Sequence, residues 1–285
     1  MAPMLRAKSY ASYPFYGPWT KVKRATPNLN RLDRAVYNWR EKHLGHFVTE
    51  LETTYAVTEG RIRVYVSGKP SLAWPFLVGE IIHGYRSALD NLHFLLVIAK
   101  HGDPPPSQIE EKAMFPIIYR TGWTFDRKKA GQHVNGPIVD WLERVQPDKG
   151  PKYEPLRDLA LLSNYDKHRR LVLVSGGIIE TNVVIDGLVD MRLIDPPTPF
   201  AGPVLNGQVI SRFRVEVTGP NPDCLVRTRL SSDVVFGQDT PLPGKPVVRT
   251  LHQIRQAVVD ALLEAEQFFP NWTPHPRLKR PGPSP

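Results

Sequence analysis

The spacing of hydrophobic residues changes near Leu171, and this change most constrains the fold. Before it, apolar residues recur every three or four positions, and the longest such helical stretch runs from Pro75 to His101. After it, short apolar–polar alternations are separated by glycine and proline, as is typical of antiparallel strands. The order predicts an α+β fold with a helical N-terminal half, a mostly antiparallel β C-terminal half and a closing C-terminal helix.

The same pattern predicts a single α+β domain over residues 25–269. It consists of a helical part over 25–170, a β-rich part over 171–246 and the closing helix over 247–269.

A β-hairpin is predicted inside the helical part. Apolar residues at helical spacing from Leu29 to Leu51 predict the preceding helix, which starts at Thr26-Pro27-Asn28. Two β-rich runs then flank Glu59-Gly60, which is therefore the expected turn of the hairpin. Further on, Phe115–Ile118 is expected to form a short extended piece.

The net charge of +9 is concentrated at the two ends of the chain. Five basic and no acidic residues fall in 1–24, and three basic and no acidic residues fall in 270–285, so the body is nearly neutral. Both ends are predicted to be extended basic tails, the second of them rich in proline. Such tails suit non-specific contact with nucleic-acid phosphates.

Cysteine usage and hydropathy limit the location. One cysteine, Cys224, excludes an internal disulfide framework and a zinc site built from several thiolates. The longest apolar run, Phe94–Ala99, is too short to span a membrane, and the N-terminus lacks the apolar core of a secretory leader. A cytoplasmic location without a membrane partner is therefore predicted.

The helix from Pro75 to His101 aligns ionisable side chains on the face opposite its apolar arc. Histidine has only middling helix propensity, so it is an uncommon choice for a simply solvated face. Two interpretations of the face stay open: a solvated face with local ion pairs, and a buried polar network or functional site. Its members are Glu80, His83, Arg86, Ser87, Asp90 and His93.

A second polar cluster lies where the helix that starts at Pro155 ends: Asn164, Asp166, Lys167, His168 and Arg169. Basic groups in a last helical turn also suit the helix dipole, which is a purely structural explanation. Because desolvated polar groups need partners, we expect the two helices to pack together around a shared polar pocket. The groups expected to face it are His83, Arg86, Asp90, Asn164 and His168.

Three segments occur in a distinctive order: His83–Asp90, Phe115–Ile117 and Asn164–Arg169. In this combination the chain resembles a widespread bacterial protein family, frequent in actinobacteria, whose members usually carry Asp at the position of Glu80 and Asn at that of Gly84. The resemblance implies common ancestry and pairs the two polar clusters, and it implies no particular reaction.

Metal-independent RNA cleavage is one candidate chemistry. Arg86–His93 satisfies the loose arginine–histidine spacing of HEPN-type helical ribonucleases, in which histidine acts on the ribose hydroxyl and arginine stabilises phosphate charge. Arg40–His46 and Arg127–His133 satisfy it equally, so chance produces the pattern readily. The nearly neutral body also lacks the field that attracts RNA.

Two other hypotheses remain open. A metal site would draw on Glu80, His83, Asp90 and His168, which carry carboxylate and imidazole groups. The favoured hypothesis is a structural or interaction module with a polar pocket between two helices, without a cofactor and with a homodimer as one candidate assembly. Should the pocket be an active site, its candidate residues are His83, Arg86, Asp90, His93, Asn164, Asp166, Lys167 and His168.

Overall fold

A computed structural model describes residues 15–43, 46–54, 56–65, 68–111, 113–120, 122–167 and 174–269. The helices are α1 Tyr16–His43, α2 Trp74–His101, α3 Ser107–Glu110, α4 Arg127–His133, α5 Gly136–Arg144, α6 Pro155–Lys167 and α7 Val247–Ala265, with 3₁₀ turns at Pro147–Lys149 and Glu266–Phe268. The strands are β1 His46–Thr54, β2 Val57–Tyr65, β3 Val174–Val189, β4 Met191–Asp195, β5 Gly202–Pro203, β6 Gln208–Val217 and β7 Asp223–Phe236. The predicted α+β class is confirmed.

The chain divides into two compact units. The helical unit comprises Met1–Arg31, Phe76–Leu171 and Arg249–Pro285, and the sheet unit comprises Leu32–Pro75 and Val172–Val248. The single domain over 25–269 stays a prediction; within the sheet unit, the second strand of the hairpin pairs with β6.

The sheet unit contains two antiparallel sheets, with strand orders β1-β2-β6-β4 and β5-β3-β7. Side chains of β2 alternate between buried and partly exposed, so Ile62 and Val64 enter the core while Arg61 and Arg63 lie on the outer face. There Arg63 pairs with Glu50 at 3.0 Å. The apolar face of β2 packs in one cluster with Ile178, Val204 and Ile210.

The predicted hairpin turn at Glu59-Gly60 is wrong. Both residues lie inside β2, and the chain instead reverses between Thr54 and Val57. Gly60 is needed in the strand because a Cβ there would lie 2.0 Å from the ring of Phe213 on β6. The glycine therefore marks a close cross-strand approach rather than a turn.

Both predicted ends of the first helix are also wrong. The helix begins at Tyr16, so residues 16–24 are helical instead of extended, and it ends at His43, so the apolar residues near 47–51 belong to β1. Phe15, Trp19 and Val22 continue the helical spacing and are buried, which overrides the start signal at Pro27. Residues 1–14 and 270–285, the remainder of the predicted tails, lie outside the described residues.

The helical unit follows its sequence pattern closely. The predicted helices from Pro75 and from Pro155 correspond to α2 and α6, and α4 and α5 lie between them in the sequence. The expected extended piece at Phe115–Ile118 forms no strand; it is irregular and hydrogen-bonds to side chains. Among the described residues, no helix is long and apolar enough to cross a membrane.

Two glycines set how closely other helices approach α2. At Gly84, an added Cβ would lie 2.8 Å from the Cβ of Ala25 on α1. At Gly79, an added Cβ would lie 3.2 Å from Oδ1 of Asp166 on α6. A larger side chain at Gly84 would therefore collide with α1.

We expect Gly84→Ala to lower the free energy of unfolding. Overpacking costs about 1–3 kcal/mol, which outweighs the gain in helix propensity. Gly131→Ala in α4 is the matched control: nothing lies within 4 Å of its added Cβ, so it should stabilise the protein by about 0.5–1 kcal/mol. Urea unfolding measures both, and equal stabilisation by the two variants would contradict the close contact between α1 and α2.

Candidate functional site

The helical unit contains a cavity of about 670 Å³ that opens to solvent and is bounded by α2, α4, α6 and residues 111–126. This volume lies in the range of about 300–1,000 Å³ typical of sites for small molecules. Its polar wall, as we name it, consists of His93 on α2, His133 on α4, and Ser163 and Asn164 on α6. Arg86 also lines the cavity, and it lies on the same face of α2 as His93.

Arg86 and Asp90 fix one end of the irregular segment 113–120, which forms part of the cavity wall. Their side chains pair at 2.8 Å, from Nη2 to Oδ1. Arg86 also donates to the carbonyl of Phe115 at 2.8 Å, and Asp90 accepts from the amide of Phe115 at 3.0 Å. Both main-chain groups of Phe115 thus bond to side chains of α2, in place of the strand partner that the segment lacks.

Gln146 fixes the next residues of the same segment. Its Oε1 accepts from the amide of Ile118 at 2.9 Å, and its Nε2 donates to the carbonyl of Pro116 at 3.0 Å. Gln146 is fully buried, so its amide group needs these partners. The segment is therefore held at three residues, Phe115, Pro116 and Ile118, by side chains from two other parts of the helical unit.

His93 is the most deeply buried ionisable group of the cavity, with 3% of its surface exposed. Its ring lies edge-on to Phe115, with centroids 6.3 Å apart, and 6.2 Å from the ring of His133. Burial, together with the nearby His133 and Arg86, lowers the pKa of His93 to about 3, so the imidazole is neutral at pH 7. Its Nδ1 has no hydrogen-bond partner among the described residues.

Aromatic side chains lie where the cavity opens to solvent. Tyr119 and Trp123 both line it, with ring centroids 6.0 Å apart, and 52% of Trp123 is exposed. The guanidinium of Arg120 lies 4.7 Å from the Trp123 centroid and 5.6 Å from that of Tyr119. We name Tyr119, Trp123 and Arg120 the aromatic rim; its flat surfaces suit stacking against a planar group.

The predicted polar face of α2 divides into two parts. Arg86 and His93 line the cavity together with Asn164, and Asp90 pairs with Arg86 beside them. Glu80 and His83 are instead exposed. Glu80 accepts from Asn28 at 2.9 Å, and Nε2 of His83 lies 3.4 Å from the hydroxyl of Ser87, so neither belongs to the cavity.

The second predicted cluster is only partly described. Asn164 lines the cavity, whereas Asp166 lies against the backbone of α2 at Gly79. The side chain of Lys167, and all of His168, lie outside the described residues. The expected partnership between Asp90 and His168 therefore stays a prediction.

The metal hypothesis receives no support from the described residues, among which no three His, Cys, Asp or Glu side chains are grouped so as to hold an ion. Of its four candidate ligands, Glu80 and His83 are exposed, Asp90 bonds to Arg86 and Phe115, and His168 is not described.

The ribonuclease hypothesis meets a geometric obstacle. The guanidinium of Arg86 already bonds to Asp90 and to the Phe115 carbonyl, which leaves it poorly placed to contact a phosphate. His133 does line the same cavity as His93, but Arg127, its partner in the sequence pattern, pairs with Asp140 and Glu143 on the surface.

Four important side chains were absent from the predicted site: His133, Ser163, Tyr119 and Trp123. His133 was noticed only in a chance pattern, and the aromatic pair lies in an irregular segment without periodicity. The three-residue spacing of Ala160 and Ser163 on α6, next to Asn164, was the available signal that this face is buried.

Comparison of the chain with protein-family models, with curated proteins and with solved structures finds no match.

We expect Asp90→Ala to lower the free energy of unfolding by about 1–3 kcal/mol, because Arg86 and the Phe115 amide lose a charged acceptor. Asp90→Asn should cost less, since an amide oxygen still accepts from Phe115. Glu80→Ala, on the exposed part of the same helix, is the control and should stay within about 0.5 kcal/mol. Equal, small effects at both positions in urea unfolding would show that the ion pair does not hold the segment.

The pKa of His93 predicts a loss of stability in acid. Because the folded pKa is about 3 and an unfolded histidine titrates near 6.5, only the unfolded chain binds this proton between those values. Stability should therefore fall as pH drops from about 6.5 towards 3, by at most about 1.4 kcal/mol per pH unit for this group. His93→Leu should flatten the slope, whereas His83→Gln, exposed on the same helix, should not. Unfolding curves at several pH values measure the slope, and an unchanged slope in His93→Leu would contradict the assignment.

Proposed function

We propose that this chain is a binding protein that holds a small molecule in the cavity of its helical unit. The observation that carries the proposal is a 670 Å³ cavity whose wall holds the neutral, buried imidazole of His93 beside Ser163 and Asn164. A few polar groups on the wall of a largely apolar cavity are what orients a bound small molecule.

The hydrogen bonds that fix the cavity wall support ligand binding as the function. Arg86, Asp90 and Gln146 use their polar groups to fix the main chain of the wall, and Ala130 and Ala160 leave its interior open. Side chains that are held in place before the ligand arrives lose little entropy on binding. The arrangement is thus that of a preformed site.

This proposal narrows the interaction module predicted from the sequence and keeps its polar pocket between α2 and α6. The cytoplasmic location belongs to the same proposal, because a lone cysteine suits a reducing compartment. Homodimerisation, nucleic-acid contact through the ends of the chain and membership of the resembling bacterial family stay predictions.

Ligand-observed NMR with a mixture of aromatic, aliphatic and anionic fragments tests the proposal. We expect saturation transfer to some fragments from the wild type and its loss in Ala130→Phe, which fills the cavity from α4. Ala99→Phe, exposed on α2 and outside the cavity lining, is the matched control and should bind as the wild type does.

A second variant that reduces the cavity keeps the test decisive if Ala130→Phe fails to fold. Met114 lines the cavity and is half exposed, so Met114→Trp narrows the opening without disturbing the buried wall. Fragment binding that persists in both folded variants, or that is absent from the wild type, would refute the cavity as a binding site.

A further inference from the structure

Two ionisable side chains in the described part of the cavity wall, Arg86 and His93, offer no free charge. Arg86 is neutralised by Asp90 at 2.8 Å, and His93 is neutral at pH 7. The charged side chains that also line the cavity, Glu111, Asp126 and Lys129, are exposed and keep their hydration. A carboxylate or phosphate on the deep part of a ligand would be desolvated without a counter-charge, which is strongly unfavourable.

The same wall can donate and accept hydrogen bonds side by side. A neutral imidazole has one donor and one acceptor nitrogen, and the half-buried amide of Asn164 has both kinds of group. Ser163, which is buried, adds a hydroxyl. A purely hydrocarbon ligand would leave these groups unpaired, so the wall favours a ligand with donors and acceptors along one edge.

The rest of the lining restricts the ligand in another way. It is largely apolar, with Phe115, Ile117, Phe125 and Ala160 among its members, and the aromatic rim presents flat rings. A sugar carries hydroxyl groups around its whole outline and would leave several of them unpaired against this surface. A planar ring system with polar atoms only at its edge matches both the apolar lining and the rim.

We infer, resting on the proposed function, that the cavity takes an uncharged nitrogen heterocycle of the nucleobase class. Its polar edge bonds to His93 and Asn164, and its ring or ring substituent stacks against Trp123. Stacking of bases on aromatic side chains is tolerant of base identity, whereas the edge bonds supply discrimination between polar and apolar rings. The polar wall thus sets specificity, and the aromatic rim contributes mainly to affinity.

Three fused-ring probes of similar shape separate these contributions: adenine, naphthalene and 2-naphthoate. Calorimetric titration of the full chain at pH 7 should give adenine at least about tenfold tighter binding than either naphthalene probe, because only adenine supplies an uncharged polar edge. If naphthalene bound as tightly as adenine, hydrogen bonds to the polar edge would not determine specificity. If 2-naphthoate bound more tightly than adenine, the ligand would not need to be uncharged.

Variants then locate the contacts. Trp123→Leu should weaken adenine binding about tenfold through lost stacking, and Asn164→Leu should bring adenine close to naphthalene in affinity. Tyr37→Leu is the matched control, because Tyr37 is 60% exposed on α1 and outside the cavity lining, and it should leave binding unchanged. Unchanged adenine affinity in both folded cavity variants would overturn the inference.

A short RNA strand that contains only adenine bases tests whether the cavity binds a base within a polymer rather than a free heterocycle. Affinity for the strand more than about a hundredfold above that for adenine would mean that the cavity serves a polymer, which overturns a free heterocycle as its ligand. Failure of this inference is distinguishable from failure of the proposed function. In the first case other fragments still bind and are lost in Ala130→Phe; in the second no fragment binds in the cavity at all.

Discussion

The ion pair between Arg86 and Asp90 is the interaction on which the cavity depends. Together the two side chains satisfy both main-chain groups of Phe115, which lies near the start of the wall segment 113–120, a stretch without a strand or helix of its own. A buried main chain without such partners is costly, so the segment owes its position to α2. Phe115 in turn lies against His93, and the burial that keeps this imidazole neutral therefore depends on the same ion pair.

Small residues determine where the helices of the helical unit pack closely and where they leave a cavity. Gly84 and Gly79 let α1 and α6 come close to α2, so no large side chain fits between those helices. Around the cavity the closing element is instead an irregular segment, and the helices contribute alanines. Close helix packing and an open pocket thus coexist in one unit because different kinds of element face α2 along its length.

Hydrophobic periodicity was sufficient to predict most helices and the later strands, because their burial follows directly from spacing. It misplaced the hairpin turn, because the glycine at position 60 is required by the ring of Phe213, which packs against it from more than a hundred positions away in the sequence. For the site, Arg86, His93 and Asn164 were predictable from uncommon polar types on helix faces. His133 and Trp123 were not, because only the folded segment between α3 and α4 brings them to α2. The polar face of α2 also does not indicate which of its side chains stay exposed to solvent, as His83 does.

The wall segment has a consequence for how such a protein can diverge. Its anchors are main-chain groups of Phe115, Pro116 and Ile118, and the side chains that hold them, Arg86, Asp90 and Gln146, lie outside the segment. Side chains of the segment such as Met114 and Tyr119 therefore supply none of these anchors, whereas Phe115 and Ile117 belong to the core. A lineage can replace Met114, Tyr119 or Trp123 while keeping the three external anchors, and so exchange one ligand for another without redesigning the fold.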